Sequence, residues 1–287
     1  VYPVEELGRR MAMVTLVMLA SPVVAPSLGA ALLRFGWPSI FFFKAAYAGS
    51  LATYYATRVP ETRPGQWSKL SVVTTLRQCA QVIARRDEQG RRPVTYPISM
   101  AFGAGAFMTF LTNSSFAYIE YFGVSETRFP LYFGCGVIGM VAANVYSMHR
   151  LNSANAPTFF RLGLLVQLTA VASLVAIVLA GPWSIWLVVL CVAVIVAAFG
   201  LVGPAGSSTY IRHYERLAGS ASSLYTTMFF STGAILGWVS GFFFDGTLRP
   251  MVITMLVASV AANLCALSTG ATLGRPASAR DATRDAA

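Results

Sequence analysis

Eight stretches of this sequence carry almost no charge: 11–33, 35–57, 93–119, 129–148, 162–180, 184–211, 217–244 and 250–274. Each is close to the ~20 apolar residues that an α-helix needs to cross a hydrocarbon layer of ~30 Å. The solvent is therefore constrained before the fold is. In lipid every backbone N–H and C=O must be satisfied within the protein, which leaves helices and closed barrels. Uninterrupted apolar runs of this length read as helices. The expected fold class is all-α, a polytopic membrane helix bundle with eight transmembrane helices.

Charge content agrees. Charged residues make up 11% of the chain, against about 25% in soluble domains. The net charge of +10 would suit a nucleic-acid partner if it formed one basic face. The cations instead flank the spans, so no nucleic-acid partner is expected. Cys79, Cys135, Cys191 and Cys265 are widely spaced, and His149 and His213 fall between spans, so neither a metal nor a cofactor is expected. The chain starts at Val1 with no signal peptide and reads as the continuation of a longer protein.

The arginines orient the bundle. Arg9 and Arg10 precede span one. Arg58, Arg63, Lys69, Arg77, Arg85, Arg86, Arg91 and Arg92 lie between spans two and three. Arg150 and Arg161, then Arg212 and Arg216, fill the next gaps of the same parity, and Arg275, Arg280 and Arg284 follow span eight. The opposite gaps hold Arg34, Arg128 and Arg249. The positive-inside rule makes the arginine-rich side cytoplasmic, with both ends of this chain there. Gly36-Trp37-Pro38 and Gly181-Pro182-Trp183 read as tight external turns with interfacial tryptophans.

Between spans two and three, Leu70, Val73, Leu76, Ala80 and Ile83 recur at helical spacing among cations. This predicts a short amphipathic helix on the inner membrane surface, serving as a linker between two bundles or as a contact for anionic lipid. The tail 275–287 has no apolar period and is expected to be disordered.

Within the spans, Pro22 and Pro26 remove backbone donors from one helix and bend it. Ser21, Ala25 and Gly29 stand four apart, and Gly233, Gly237 and Gly241 form a doubled GxxxG; both patterns predict close helix–helix approach. Gly200 to Gly206, with Pro204, predicts a bendable end to span six. Gly134-Cys135-Gly136-Val137-Ile138-Gly139 matches GxGxxG formally. It lies inside an apolar span with no acid until Glu215, so a dinucleotide site is rejected. Lys44 is the ion deepest in any span, and its stem can reach back to the outer interface or serve a functional role. Asn113 and Ser114 in span three, Asn144 in span four, and Tyr225 and Phe229 in span seven can line an amphipathic cavity or hydrogen-bond between helices.

Residues 2–12 with Ser21-Pro22, Ala25-Pro26 and Leu28-Gly29 resemble the fifth helix of major facilitator superfamily drug/proton antiporters, the Bcr/CflA-type multidrug exporters above all. Trp37-Pro38-Ser39-Ile40-Phe41 and Val59-Pro60-Glu61-Thr62 are similar to the start and end of that family's sixth helix, and 217–224 to the opening of its eleventh. The resemblance implies a partial major facilitator fold, N-terminally truncated, with helices five to twelve. Residues 1–57 would be the last two helices of the N-terminal half, 58–92 the cytoplasmic linker, and 93–274 the complete C-terminal half.

The same resemblance implies a central cavity bordered by helices five, seven, eight, ten and eleven. Asn113, Ser114, Asn144, Tyr225 and Phe229 become the expected substrate contacts, and Pro22, Pro26, Gly29, Gly233, Gly237 and Gly241 the packing or gating positions. The implied activity is proton-coupled efflux of small amphipathic compounds from a bacterial inner membrane, by a protein expected to work as a monomer in the lipid bilayer. The proton-carrying acid is expected outside this chain, which alone is expected to transport nothing. The rival readings are a facilitator for one metabolite (a nucleoside, sugar or amino acid) and an inactive fragment. An enzyme is not expected, because no Ser–Lys pair or converging His, Asp and Glu lies at membrane depth.

Overall fold

The computed structural model describes residues 24, 25, 27–58, 72–87, 90–151, 155–181 and 184–269. Pro22, Pro26 and the tail 275–287 lie outside the described residues. The chain divides into two compact units. One is Val1–Lys69 with Glu126–Pro130, and the other is Leu70–Ser125 with Leu131–Ala287. Among the described residues the regular structure is helical throughout, with no strand.

In the first unit, helical residues 27–33 meet α1 (Pro38–Arg58) across a turn at Gly36, whose φ of 90° favours glycine. Ser39 Oγ lies 2.6 Å from the Leu32 carbonyl oxygen and 2.7 Å from that of Gly36, tying the new helix to the end of the old one. Lys44 Nζ sits 5.9 Å from the Phe41 ring, one turn back towards Trp37. A Cβ on Gly29 would meet nothing within 4 Å.

The second unit holds α2 (Val72–Ala84), α3 (Thr95–Ser115), α4 (Phe129–Arg150, from Leu131), α5 (Ala156–Ala180), α6 (Ile185–Ile211), α7 (Ala218–Phe242) and α8 (Arg249–Leu267). A π-helical segment, Phe116–Tyr121, extends α3, and a 3-10 segment, Arg212–Leu217, joins α6 to α7. Helix α3 packs chiefly against α7 and α8, and α5 against α6 and α8. Four described helices are long and apolar enough to cross a membrane: α4, α5, α8 and α6 with its extension, Ile185–Tyr214. Helices α3 and α7 fall short of that measure because Thr95, Thr109, Thr112, Asn113 and Ser114, and Ser220, Ser222, Ser223, Thr226 and Thr227, dilute their apolar content.

Close contacts fix the helix directions. Met108 faces Gly233 and Thr112 faces Gly237, so α3 and α7 run parallel. Met100 faces Gly206 while Phe107 stacks on Phe199, so α3 and α6 run antiparallel. Gly163 faces Val202 while Phe160 faces Gly206, so α5 runs antiparallel to α6, and Gly136 against Val196 with Met140 against Gly200 makes α4 parallel to α6. Tyr96 hydrogen-bonds Thr269, just past the end of α8, while Gly103 faces Ala262, so α8 runs antiparallel to α3. Successive helices thus alternate in direction. Arg85, Arg86, Arg91, Arg92, Arg150 and Arg212 gather at one end of this unit and Arg249 lies at the other.

Small residues make this packing tight where lipid supplies no hydrophobic drive between helices. A Cβ on Gly233 would come within 2.9 Å of Met108 Cβ, and one on Gly237 within 3.0 Å of Thr112 Oγ1. Gly241 has open space instead. A polar seam adds to the packing: Gln167 Nε2 donates to the Gly103 carbonyl at 2.9 Å, Ser99 Oγ to Ala262 at 2.7 Å and Asn263 Nδ2 to Leu164 at 3.1 Å. These bonds link α3, α5 and α8 through buried or half-buried side chains.

Helix α6 runs through Pro204 without interruption, and the break in helical geometry comes at Tyr214, with φ −134° and ψ 41°.

Candidate functional site

Tyr225 and Phe229 stand one turn apart on α7, with ring centroids 6.0 Å apart in an edge-on arrangement. Phe229 reaches across to Phe199 of α6 at 5.9 Å, and Phe199 stacks at 14° on Phe107 of α3 with centroids 5.4 Å apart. Phe230 lies edge-on to Phe229 at 5.0 Å. Three helices therefore contribute to one continuous run of rings. Phe107, Phe199, Tyr225 and Phe229 are each half-buried.

The remaining sequence-derived positions take separate places around this run. Asn113 and Ser114 lie further along α3 from Phe107. Their side chains turn back onto their own helix, Asn113 Nδ2 to the Thr109 carbonyl at 2.8 Å and Ser114 Oγ to Leu111 at 2.9 Å. Asn144 on α4 is half-buried and points Nδ2 at Met140 oxygen over 3.5 Å, a bond at the limit of useful geometry. It stands beside Gly200, the neighbour of Phe199, so a Cβ there would come 3.2 Å from Asn144 Nδ2. The structure thus brings Tyr225 and Phe229 together, sets Asn144 against the adjoining turn of α6, and leaves Asn113 and Ser114 further along α3. Phe107 and Phe199 join the site unannounced, because in sequence each is one more aromatic in an apolar run.

The chemistry available to this wall is stacking and attraction of cations. Aromatic faces accept flat apolar groups by stacking, and their quadrupoles attract a cation within about 6 Å of a ring centre. The run of rings itself contains no ionisable carboxylate, lysine or histidine. Among the described residues no three His, Cys, Asp or Glu side chains gather to hold a metal ion. Asp245, just beyond α7, is exposed; hydrogen bonds from the Thr247 hydroxyl and amide hold its carboxyl below the usual range, so it stays ionised.

The sequence matches the family model described as Major Facilitator Superfamily over residues 1–238. The chain belongs to the major facilitator superfamily. Among curated relatives, this facilitator chain is similar to the bicyclomycin resistance protein homolog of Haemophilus influenzae, 24% identical over 264 residues, 88% of this chain and 62% of the relative. It is also similar to the uncharacterized MFS-type transporter YdgK of Bacillus subtilis, 22% identical over 269 residues, 92% of this chain and 65% of that protein. The chain spans less than two thirds of the length of these relatives. The Bcr/CflA-type resemblance seen in the fifth-, sixth- and eleventh-helix motifs therefore agrees with a drug-resistance homologue among the relatives. Membership of the facilitator superfamily, with its apolar helices, makes this a multi-pass membrane protein.

Proposed function

We propose that this facilitator exports small amphipathic compounds in exchange for protons by alternating access. The observation that carries the reading is the run of rings Phe107–Phe199–Phe229–Tyr225, shared by three helices of one unit. An apolar, π-rich wall with few free hydrogen-bond donors suits compounds with a hydrophobic body. A sugar or amino acid would require donors that Asn113 and Ser114 already direct to their own helix. The drug-resistance name of the Haemophilus influenzae relative points the same way.

In this reading all eight charge-poor stretches cross the membrane, and α3–α8 form the C-terminal six-helix half. Residues 1–57 belong to the other half, with the arginine-rich end in the cytoplasm of a bacterial inner membrane. The transported proton is carried by an acid outside α3–α8, since none of these helices holds a carboxylate at mid-depth. Gly233 and Gly237 serve packing between α3 and α7. Asn144 contributes a polar edge to the cavity beside Gly200.

The test is energised efflux of a fluorescent amphipathic cation from cells expressing the protein, with a metabolite-uptake panel in parallel. Efflux that stops when the proton gradient is collapsed, and falls at least tenfold in Phe199→Ala and Phe229→Ala but not in Trp238→Ala, an exposed aromatic outside the run of rings, supports the proposal. Uptake of one metabolite with no effect on drug susceptibility refutes it.

A further inference from the structure

Helix α2 has two faces, and one of them is already occupied. Val82 is fully buried, and its carbonyl accepts a 2.8 Å hydrogen bond from the Tyr214 hydroxyl. One turn earlier, Gln78 Oε1 accepts from Ser220 Oγ at 2.8 Å. The Arg85 guanidinium lies over the Tyr214 ring at 5.5 Å, and Tyr210 packs edge-on against Tyr214 at 5.1 Å. The Gln78–Val82 side is therefore fastened to the α6–α7 connection.

The other side is apolar and open. Val73, Leu76 and Ile83 are 67%, 64% and 42% exposed, and with Ala80 they follow the three- and four-residue spacing of one helix face. Arg77 lies beside this stripe, and Arg85, Arg86, Arg91 and Arg92 follow it, all exposed. Arg86 Nη1 donates to the Gly90 carbonyl at 3.2 Å. The acids of the segment are Asp87 and Glu88, and Asp87 accepts the Arg91 amide at 2.7 Å. The stretch thus pairs an open apolar stripe with an excess of cations.

Tyr214 gives α2 its place. It ends the helix Ile185–Tyr214, which is long and apolar enough to cross a membrane, and its hydroxyl touches α2, so α2 lies at the arginine-bearing end of that helix. A helix at that end with an apolar stripe flanked by arginines has the chemistry of a peripheral lipid contact. We propose that α2 docks on acidic phospholipid of the arginine-side leaflet, with Val73, Leu76 and Ile83 entering the acyl boundary and Arg77, Arg86, Arg91 and Arg92 meeting headgroup phosphates. Its opposite face carries that contact to the α6–α7 connection through Tyr214 and Ser220. The proposal requires a membrane-spanning α6 and is independent of what the protein transports.

The test uses the whole chain in nanodiscs of phosphatidylcholine alone or mixed with phosphatidylglycerol. Amide exchange of residues 72–84 in the unmodified protein is expected to slow about fivefold for each arginine engaged when the anionic lipid is present. That gain should vanish in the Arg77→Gln/Arg86→Gln/Arg91→Gln/Arg92→Gln variant. Nitroxides at Leu76→Cys and Ile83→Cys should collide more with oxygen than with a water-soluble nickel chelate in the anionic discs, while one at Gln81→Cys stays chelate-accessible. Equal exchange in both lipids overturns the proposal. So do labels at 76 and 83 that remain chelate-accessible, as does shielding from both reagents, which would mean that protein covers the stripe.

Discussion

Gln167 Nε2 donates to the Gly103 carbonyl oxygen at 2.9 Å, joining α5 to α3 where both are buried. The Gln167 Oε1 atom, also buried, has no hydrogen-bond partner among the described residues. One amide therefore makes a bond and carries an unsatisfied acceptor together. Hydrogen bonds between membrane helices are worth about 0.6 kcal/mol on average and about 1.7 kcal/mol at most. Gln167→Leu, of similar size, removes both the bond and the unsatisfied oxygen, so its net loss of stability should stay below about 1.7 kcal/mol. Gln167→Ala also opens a cavity and should lose about 2 kcal/mol or more. Unfolding of purified protein in mixed detergent micelles would measure both.

Gly200 and Gly203 lie one turn apart on α6 and predict opposite outcomes. A Cβ at Gly200 would stand 2.8 Å from the Met140 backbone oxygen, and a backbone atom gives way only if α4 moves. Gly200→Ala should cost about 1–3 kcal/mol and disturb the Phe199 ring beside it. At Gly203 a Cβ meets nothing within 4 Å, so Gly203→Ala should leave the melting temperature unchanged or raise it, because alanine suits a helix better than glycine. Thermal denaturation of the two variants side by side checks the pair.

The doubled GxxxG of α7 should divide in the same way. Gly233→Ala and Gly237→Ala press on Met108 Cβ and Thr112 Oγ1 and should destabilise the α3–α7 contact, by about 1–3 kcal/mol each. Gly241→Ala faces open space and should be tolerated. Melting curves for the three single variants would show whether the third glycine takes part in packing.

The sequence legibly placed most helices of the second unit. Span four was expected over 129–148 and α4 ends at Arg150; span six was expected over 184–211 and α6 covers Ile185–Ile211. Charge failed as a boundary at α5, which begins at Ala156, ahead of Arg161. A helix can continue past the membrane edge, and Pro157 in its first turn suits a start there. For α2 the periodicity marked the apolar stripe, but the docked face is defined by a backbone carbonyl at Val82 and an amide at Gln78, neither of which has a hydropathy signature. The ring contacts of Phe107 and Phe199 were hidden for a related reason. An aromatic on a membrane helix looks the same in sequence whether it faces lipid, a neighbour or a cavity.

Side-specific labelling shows whether the apolar helices cross lipid with the arginines held at one face. With the four native cysteines replaced by serine, Glu126→Cys and Arg92→Cys each place a thiol on an exposed position. A membrane-impermeant maleimide added to intact cells should label residue 126 at once and residue 92 only after permeabilisation. Labelling of residue 92 in intact cells, with residue 126 protected until lysis, would contradict the account.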